Sequence, residues 1–259
     1  MTAIVGILCT DGVVVGADSS STSAVFNERI IEQTTEKIEI IENKIILTAT
    51  GSVGLKQRYH QIIQDFYKNH LFSKIRKVNQ QEIEISHIQI TKDLCRCMLD
   101  DMNSTHLKPG GLGALLAFPL GTNQFLCEFA VEDFQPEIKT PNSWFVSMGS
   151  TIHITDSFLA FLKRVFWEEK QPDLADGIFA ATWTIQHAID VNPGGVNGPI
   201  SIATLSRNKK GEFISRKLER NEMDEHQQNI DEAKSYMRKY LDQHRLQSIR
   251  QPPMPPQSN

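Results

Sequence analysis

Residues 3–9, Ala-Ile-Val-Gly-Ile-Leu-Cys, and residues 13–17, Val-Val-Val-Gly-Ala, are apolar at nearly every position and are separated by a turn containing Asp11-Gly12. An Asp-Gly dipeptide between two β-branched runs is a hairpin signal. The lack of polar alternation means that both faces of each strand must be covered. A chain that opens this way needs a layer above and a layer below its first sheet. A second pair repeats the pattern, Lys37 to Ile41 and Ile45 to Thr50, joined by Glu42-Asn43-Lys44.

Helical spacing follows. Leu55, Tyr59, Ile62, Ile63, Phe66 and Tyr67 predict a helix within residues 53–72, and Ile88, Ile90, Leu94, Cys97, Met98 and Leu99 predict one over 86–102. Strands return at 114–118, 124–131 and 144–148, then helices at 156–167 and 174–189, with Asp173 as N-cap of the second. Two further strands, 200–205 and 213–218, flank the Asn208-Lys209-Lys210-Gly211 turn. Paired strands alternating with paired helices predict an α+β fold, two stacked sheets between helix layers. Residues 220–250 are polar, with a thin stripe of Ile230, Ala233, Met237, Tyr240 and Leu241, and read as one amphipathic helix beyond a 2–219 domain. The proline-rich end, 251–259, reads as disordered.

With 27 basic against 31 acidic residues the formal net charge is −4, which speaks against nucleic acid and against a polybasic membrane anchor. No apolar run approaches the roughly 20 residues of a membrane span, and the apolar stretch after Met1 lacks the basic start of a signal peptide. The expected setting is cytoplasmic. Cys9, Cys95, Cys97 and Cys127 stand at no zinc spacing, so reduced cysteines and no metal are expected. His153 and His187 sit among apolar residues and read as packing histidines, and no GxSxG elbow supports Ser-His-Asp catalysis.

The chemistry gathers at the N-terminus. If Met1 is removed, Thr2 carries a hydroxyl and a free α-amine on one residue, and a terminal amine is a base able to activate a threonine hydroxyl. Asp18 ends an apolar strand, where a carboxylate needs a partner. Lys37 begins the third strand, and a lysine facing the first strand would lower the proton affinity of the Thr2 groups. Gly51, in Thr50-Gly51-Ser52, allows a backbone N–H to approach a substrate carbonyl.

Thr2-Ala3-Ile4-Val5-Gly6, Asp11 through Ser19, Glu36-Lys37-Ile38, Thr50-Gly51-Ser52 and Met148-Gly149-Ser150-Thr151 together resemble the proteasome β-subunit family of N-terminal-nucleophile hydrolases, with element order agreeing over residues 2 to about 218. The resemblance implies a four-layer αββα sandwich, here with an extra C-terminal helix. It implies peptide-bond hydrolysis with Thr2 as nucleophile and its amine as base, Lys37 tuning, Asp18 orienting Lys37, Gly51 as oxyanion donor and Ser150 holding the amine. Ser21, Thr22 and Gly51 would pair with an extended substrate as an added strand, and Thr35, Ala49 and Val53 fall where the family lines its specificity pocket. Thr2 directly follows Met1, so no propeptide is expected. No cofactor is implied. A homo-oligomeric ring enclosing peptide or unfolded-protein substrates is; whether an ATPase unfoldase feeds it stays open.

The departures resemble a divergent bacterial homologue. The loop from Asp18 to Lys37 is about three residues longer than is usual in the family. The family's Asp-x-x-Ser-Gly-Gly reads here as Asp190-Val191-Asn192-Pro193-Gly194-Gly195, with Pro193 at the serine. Asp190, or else a residue nearer Asn197, would complete the site. A catalytically degenerate scaffold of the same fold and an amidase acting on a small molecule are the alternatives.

Overall fold

The computed structural model describes residues 2–25, 28–73, 75–78, 81–108, 110–168, 170–192 and 195–248, without the side chains of 21–25, 28–33, 75–78, 81–83 and 246–248. The tail at 251–259 and the Pro193-Gly194 pair lie outside them. Two units are distinguished, one ending at Glu219 and one beginning at Arg220.

The first unit begins with strands β1 (Ile4–Leu8), β2 (Gly12–Ala17), β3 (Ser20–Val25), β4 (Glu28–Thr34), β5 (Glu39–Ile41) and β6 (Ile45–Gly51). Helix α1 (Val53–Lys68), strands β7 (Ile75–Val78) and β8 (Gln81–Glu84), and helix α2 (His87–Ser104) follow. Then come β9 (Leu112–Leu120), β10 (Asn123–Phe129), β11 (Pro136–Ile138) and β12 (Phe145–Met148). Helices α3 (Ile152–Leu162) and α4 (Leu174–Val191) and strands β13 (Ser201–Arg207) and β14 (Phe213–Lys217) complete it.

One antiparallel sheet has the order β12-β1-β2-β13-β14, the other β11-β10-β9-β6-β5. They pack face to face through β1, β2 and β13 against β6, β9 and β10. Helix α4 covers β1, β2 and β13, with α3 beside it, while α1 and α2 cover the second sheet. This is the expected αββα sandwich, and it explains why β1 and β2 are buried at every position. Close approach uses glycine on both faces of the hairpin. A Cβ on Gly6 would lie 2.6 Å from Leu115 of the facing sheet, and one on Gly16 would lie 2.6 Å from Ile185 of α4.

Helix α3 and the segment before Lys37 differ from the sequence reading. Helix α3 begins at Ile152, four residues before the expected Asp156, and ends in a π-turn at Lys163–Trp167. Asp173 does cap α4, accepting the Asp176 N–H at 2.9 Å. Residues 20–34, read only as a long loop, form the β3–β4 hairpin, pairing Ser20 with Thr34 through Val25 with Glu28.

The second unit contains α5 (Arg220–Ser248), a single helix of 29 residues. Of its sequence stripe, Met237, Tyr240 and Leu241 are exposed. Among the described residues no helix is long and apolar enough to cross a membrane.

Candidate active site

Thr2 is held by the end of β12 and the start of α3. Strand β1 pairs with β12 as far as Ile4 opposite Met148. The chain then turns at Gly149, whose φ is +99°, a conformation that L side chains rarely adopt. The turn brings Ser150 and Thr151 against Thr2. The Thr2 N–H donates to Ser150 Oγ at 3.1 Å, and Thr151 Oγ1 donates to the Thr2 carbonyl at 3.4 Å. Ser150 is thus the acceptor for the Thr2 nitrogen, and Thr151, given no role in the sequence reading, is a second anchor.

Asp18 follows directly from the β1–β2 ladder, where its N–H donates to the Ala3 carbonyl at 3.1 Å. Its Oδ1 accepts the Ala3 N–H at 2.8 Å and Lys37 Nζ at 2.6 Å, and its Oδ2 accepts the Ser20 N–H at 3.0 Å. The β3–β4 hairpin explains how Lys37 reaches it. Ser20 and Thr34 close the ladder, and the Thr35 N–H donates to the Ser19 carbonyl at 2.8 Å. The chain thus leaves after Asp18 and returns beside it just before Lys37. The length of the excursion does not disturb the pair, because the hairpin carries the extra residues away from its base.

Asp18 and Lys37 are 1% and 8% exposed. Lys37 Nζ also donates to Thr2 Oγ1 at 3.2 Å. An ammonium offers only donors, so the Thr2 oxygen accepts here and its own proton is free to point elsewhere. Burial pushes Lys37 below the ordinary lysine range; Asp18 opposes that fall, and the nearby Lys56 adds to it.

A cavity of about 340 Å³ opens in front of this group. Thr2, Lys37 and Ser150 line it, as do Thr35, Ala49 and Val53. Gly51 borders it with φ +100°, where an added Cβ would lie 2.4 Å from the Gly111 carbonyl oxygen. The structure thus brings Thr2, Asp18, Lys37, Gly51, Ser150, Thr35, Ala49 and Val53 into one place. Ser21 and Thr22 lie on β3 opposite Gln33 and Glu32; their side chains are outside the described set.

Asp190 does not join them. It is exposed on the last turn of α4, where its carboxylate accepts Gln186 Nε2 at 2.7 Å. Its assignment to the site is corrected accordingly: at the end of α4 it meets its own helix one turn back, not Thr2. The segment that does arrive is 195–199. Val196 packs with Ala3 and Ala188, the Asn197 carbonyl accepts the Ser19 N–H at 3.1 Å, and Ser19 Oγ donates to the Pro199 carbonyl.

Lys56 was missed. It lines the cavity, donates to the Lys37 carbonyl at 2.9 Å and pairs with Glu39 Oε1 at 2.7 Å. A signal existed. Lys56 lies in the first turns of α1, where the helix dipole disfavours a cation, so an anionic partner elsewhere was to be expected.

Comparison with family models matches residues 2–129 to the proteasome subunit family. No curated protein matches the chain.

Proposed function

The chain belongs to the proteasome subunit family, and from that premise we propose that it is an N-terminal threonine peptidase. Members of the family form oligomeric rings, and this chain would work inside one, on peptides or on protein unfolded by a separate ATPase. The observation that carries the reading is the bridging position of Lys37 Nζ, 3.2 Å from Thr2 Oγ1 and 2.6 Å from Asp18 Oδ1, on the wall of a cavity.

Loss of Met1 turns the Thr2 nitrogen from an amide into an α-amine beside Ser150 Oγ. Near neutral pH such an amine, with an ordinary pKa of about 7.7–8.0, holds a usable neutral fraction. It takes the hydroxyl proton as Thr2 Oγ1 bonds to the scissile carbonyl carbon. Lys37 steadies the developing alkoxide, and the Gly51 N–H accepts the role of oxyanion donor. Collapse of the tetrahedral species breaks the C–N bond, the proton goes to the leaving amine, and an ester on Thr2 remains. Water, activated by the same amine, then releases the acid and restores the hydroxyl.

The test is intact mass before and after incubation with a peptide epoxyketone, whose stable adduct needs a hydroxyl and a free α-amine on one residue. The expected result is loss of one methionine and gain of one inhibitor per chain, both hydrolysis and adduct vanishing in Thr2→Ala. A ring scaffold without turnover is the second reading, favoured by Asp190, whose carboxylate is taken by Gln186 of its own helix. A processed, assembled chain that neither takes the probe nor cleaves peptides would establish that reading instead.

A further inference from the structure

We propose that Lys56 is a positioning residue of this site: it fixes the main chain that presents Lys37 and places a second cation on the same cavity. The inference rests on the peptidase reading for its catalytic meaning, but its physical content can be read without turnover.

Lys56 grips two points of one short segment. Its Nζ donates to the carbonyl of Lys37 at 2.9 Å and pairs with the carboxylate of Glu39 at 2.7 Å, two residues further on. Its side chain is 12% exposed, against 30% for that of Glu39. Holding a lysine in one conformation costs up to about 2 kcal/mol of side-chain entropy, so an immobile, largely buried lysine needs fixed partners. Glu39 supplies one and is itself held from the other side, because its Oε2 contacts His60 Nδ1, one turn after Lys56 on α1. Helix α1 thus clasps Glu39 at positions i and i+4 and, through Lys56, the carbonyl of Lys37.

The charges follow from this geometry. Lys37 is faced by Asp18 after β2, by Thr2 before β1 and by Lys56 from α1. Lys56 is faced by Glu39 and by the Lys37 carbonyl, and Glu39 by Lys56 and His60. Glu36, also on the cavity, is drawn to Lys217 of β14. Burial pushes the Glu39 carboxyl up, yet Lys56 and then His60 outweigh it and hold it below the ordinary glutamate range. The clasp is therefore closed at neutral pH and opens only as acid protonates Glu39. Asp18 favours a charged Lys37, whereas burial and Lys56 disfavour it. Lys56 makes Lys37 a more ready proton donor than Asp18 and burial alone would leave it.

Lys56→Met, Lys56→Arg and Glu39→Gln separate this role from simple support of the fold. In the full-length protein labelled with 13C at the lysine ε-carbon, the Lys37 titration should move up by about one unit in Lys56→Met and stay near the parent in Lys56→Arg. It should move down in Glu39→Gln, which removes an anion and leaves the cation. A merely structural contact would not shift the two neutral variants in opposite directions. In peptide hydrolysis, Lys56→Met should lower kcat about 10-fold with KM nearly unchanged, and move the alkaline limb of the pH profile upward. An unmoved Lys37 titration in Lys56→Met, or shifts of one sign in both neutral variants, overturns the proposal. If the parent chain neither hydrolyses peptide nor takes the epoxyketone, the peptidase reading falls while the titration still decides the role of Lys56.

Discussion

Asp18→Ala is expected to lower stability by about 3–5 kcal/mol at neutral pH, the range for removing one partner of a buried ion pair. It should also reduce kcat/KM by about 10³-fold. The carboxylate accepts three donors, the N–H groups of Ala3 and Ser20 and the ammonium of Lys37, at 2.8, 3.0 and 2.6 Å. Alanine removes the shortest of these contacts of Lys37 and the carboxylate acceptor of the two N–H groups, in a region only a few per cent exposed. The pH dependence has a definite sign. Lys37 already sits below its ordinary value because burial disfavours its charge, and loss of Asp18 lowers it further. Between that lowered value and about 10.4, the unfolded chain binds the proton that the folded chain has shed, so stability rises with pH. The deficit of Asp18→Ala therefore shrinks as pH rises from the variant's Lys37 value to the parent's, above which the two stability curves run parallel. Urea unfolding of parent and variant at pH 7 and pH 9.5, at one fixed protein concentration because assembly shifts apparent stability, measures it. A deficit under about 1 kcal/mol at pH 7, or one that grows with pH, would contradict the arrangement. Asp18→Asn should fall between, since its amide oxygen still accepts one of the three donors.

What could be read from the residues alone was what burial writes into composition. Strands β1 and β2 announce themselves because both faces are covered, so every position must be apolar. Asp18 and Lys37 stand out for the same reason: a charge at the rim of an apolar run needs an explanation, and each is the other's. The β3–β4 hairpin carries no such mark. Ser20-Ser21-Thr22-Ser23 and Glu28 to Thr34 are largely polar, and nothing in their spacing separates a paired ribbon from a loop. Yet that ribbon returns the chain to Lys37. Asp190 was misplaced because a motif fixes order along the chain and not the end of a helix. Helix α4 runs on to Val191 and keeps Asp190 on its own surface, and the following segment meets the site through the backbone of Asn197 and Pro199. Backbone partners leave no trace in side-chain identity. Lys56 was hidden differently, since its partners, the Lys37 carbonyl and Glu39, are distant in sequence by more than a strand and a turn.

Gly149→Ala should abolish most of the activity while leaving most of the fold. An added Cβ would lie 2.2 Å from the carbonyl oxygen of Thr2 and 3.1 Å from its Cβ, so one of the two must move. Gly149 is the less mobile partner. It sits between β12, paired through Met148 to β1, and Ser150 and Thr151, which hold Thr2 and lead directly into α3. Thr2 lies ahead of β1 and is the end that yields. Displacement by about 1 Å at a reacting group costs on the order of 10²-fold in rate. The backbone term is smaller: alanine at a φ of +99° carries strain of about 1–3 kcal/mol. Activity and stability should thus part company, with at least 10²-fold lost in peptide hydrolysis and in the rate of epoxyketone adduct formation, against a modest drop in the unfolding midpoint. Ser150→Ala provides the contrast. It removes the acceptor 3.1 Å from the Thr2 nitrogen without pushing on Thr2, so its loss should be smaller than that of Gly149→Ala, with little change in stability. Equal activity in the parent and Gly149→Ala would mean that the Thr2 carbonyl is not held against this turn during the reaction, and that the reacting hydroxyl is positioned from the Lys37 side alone.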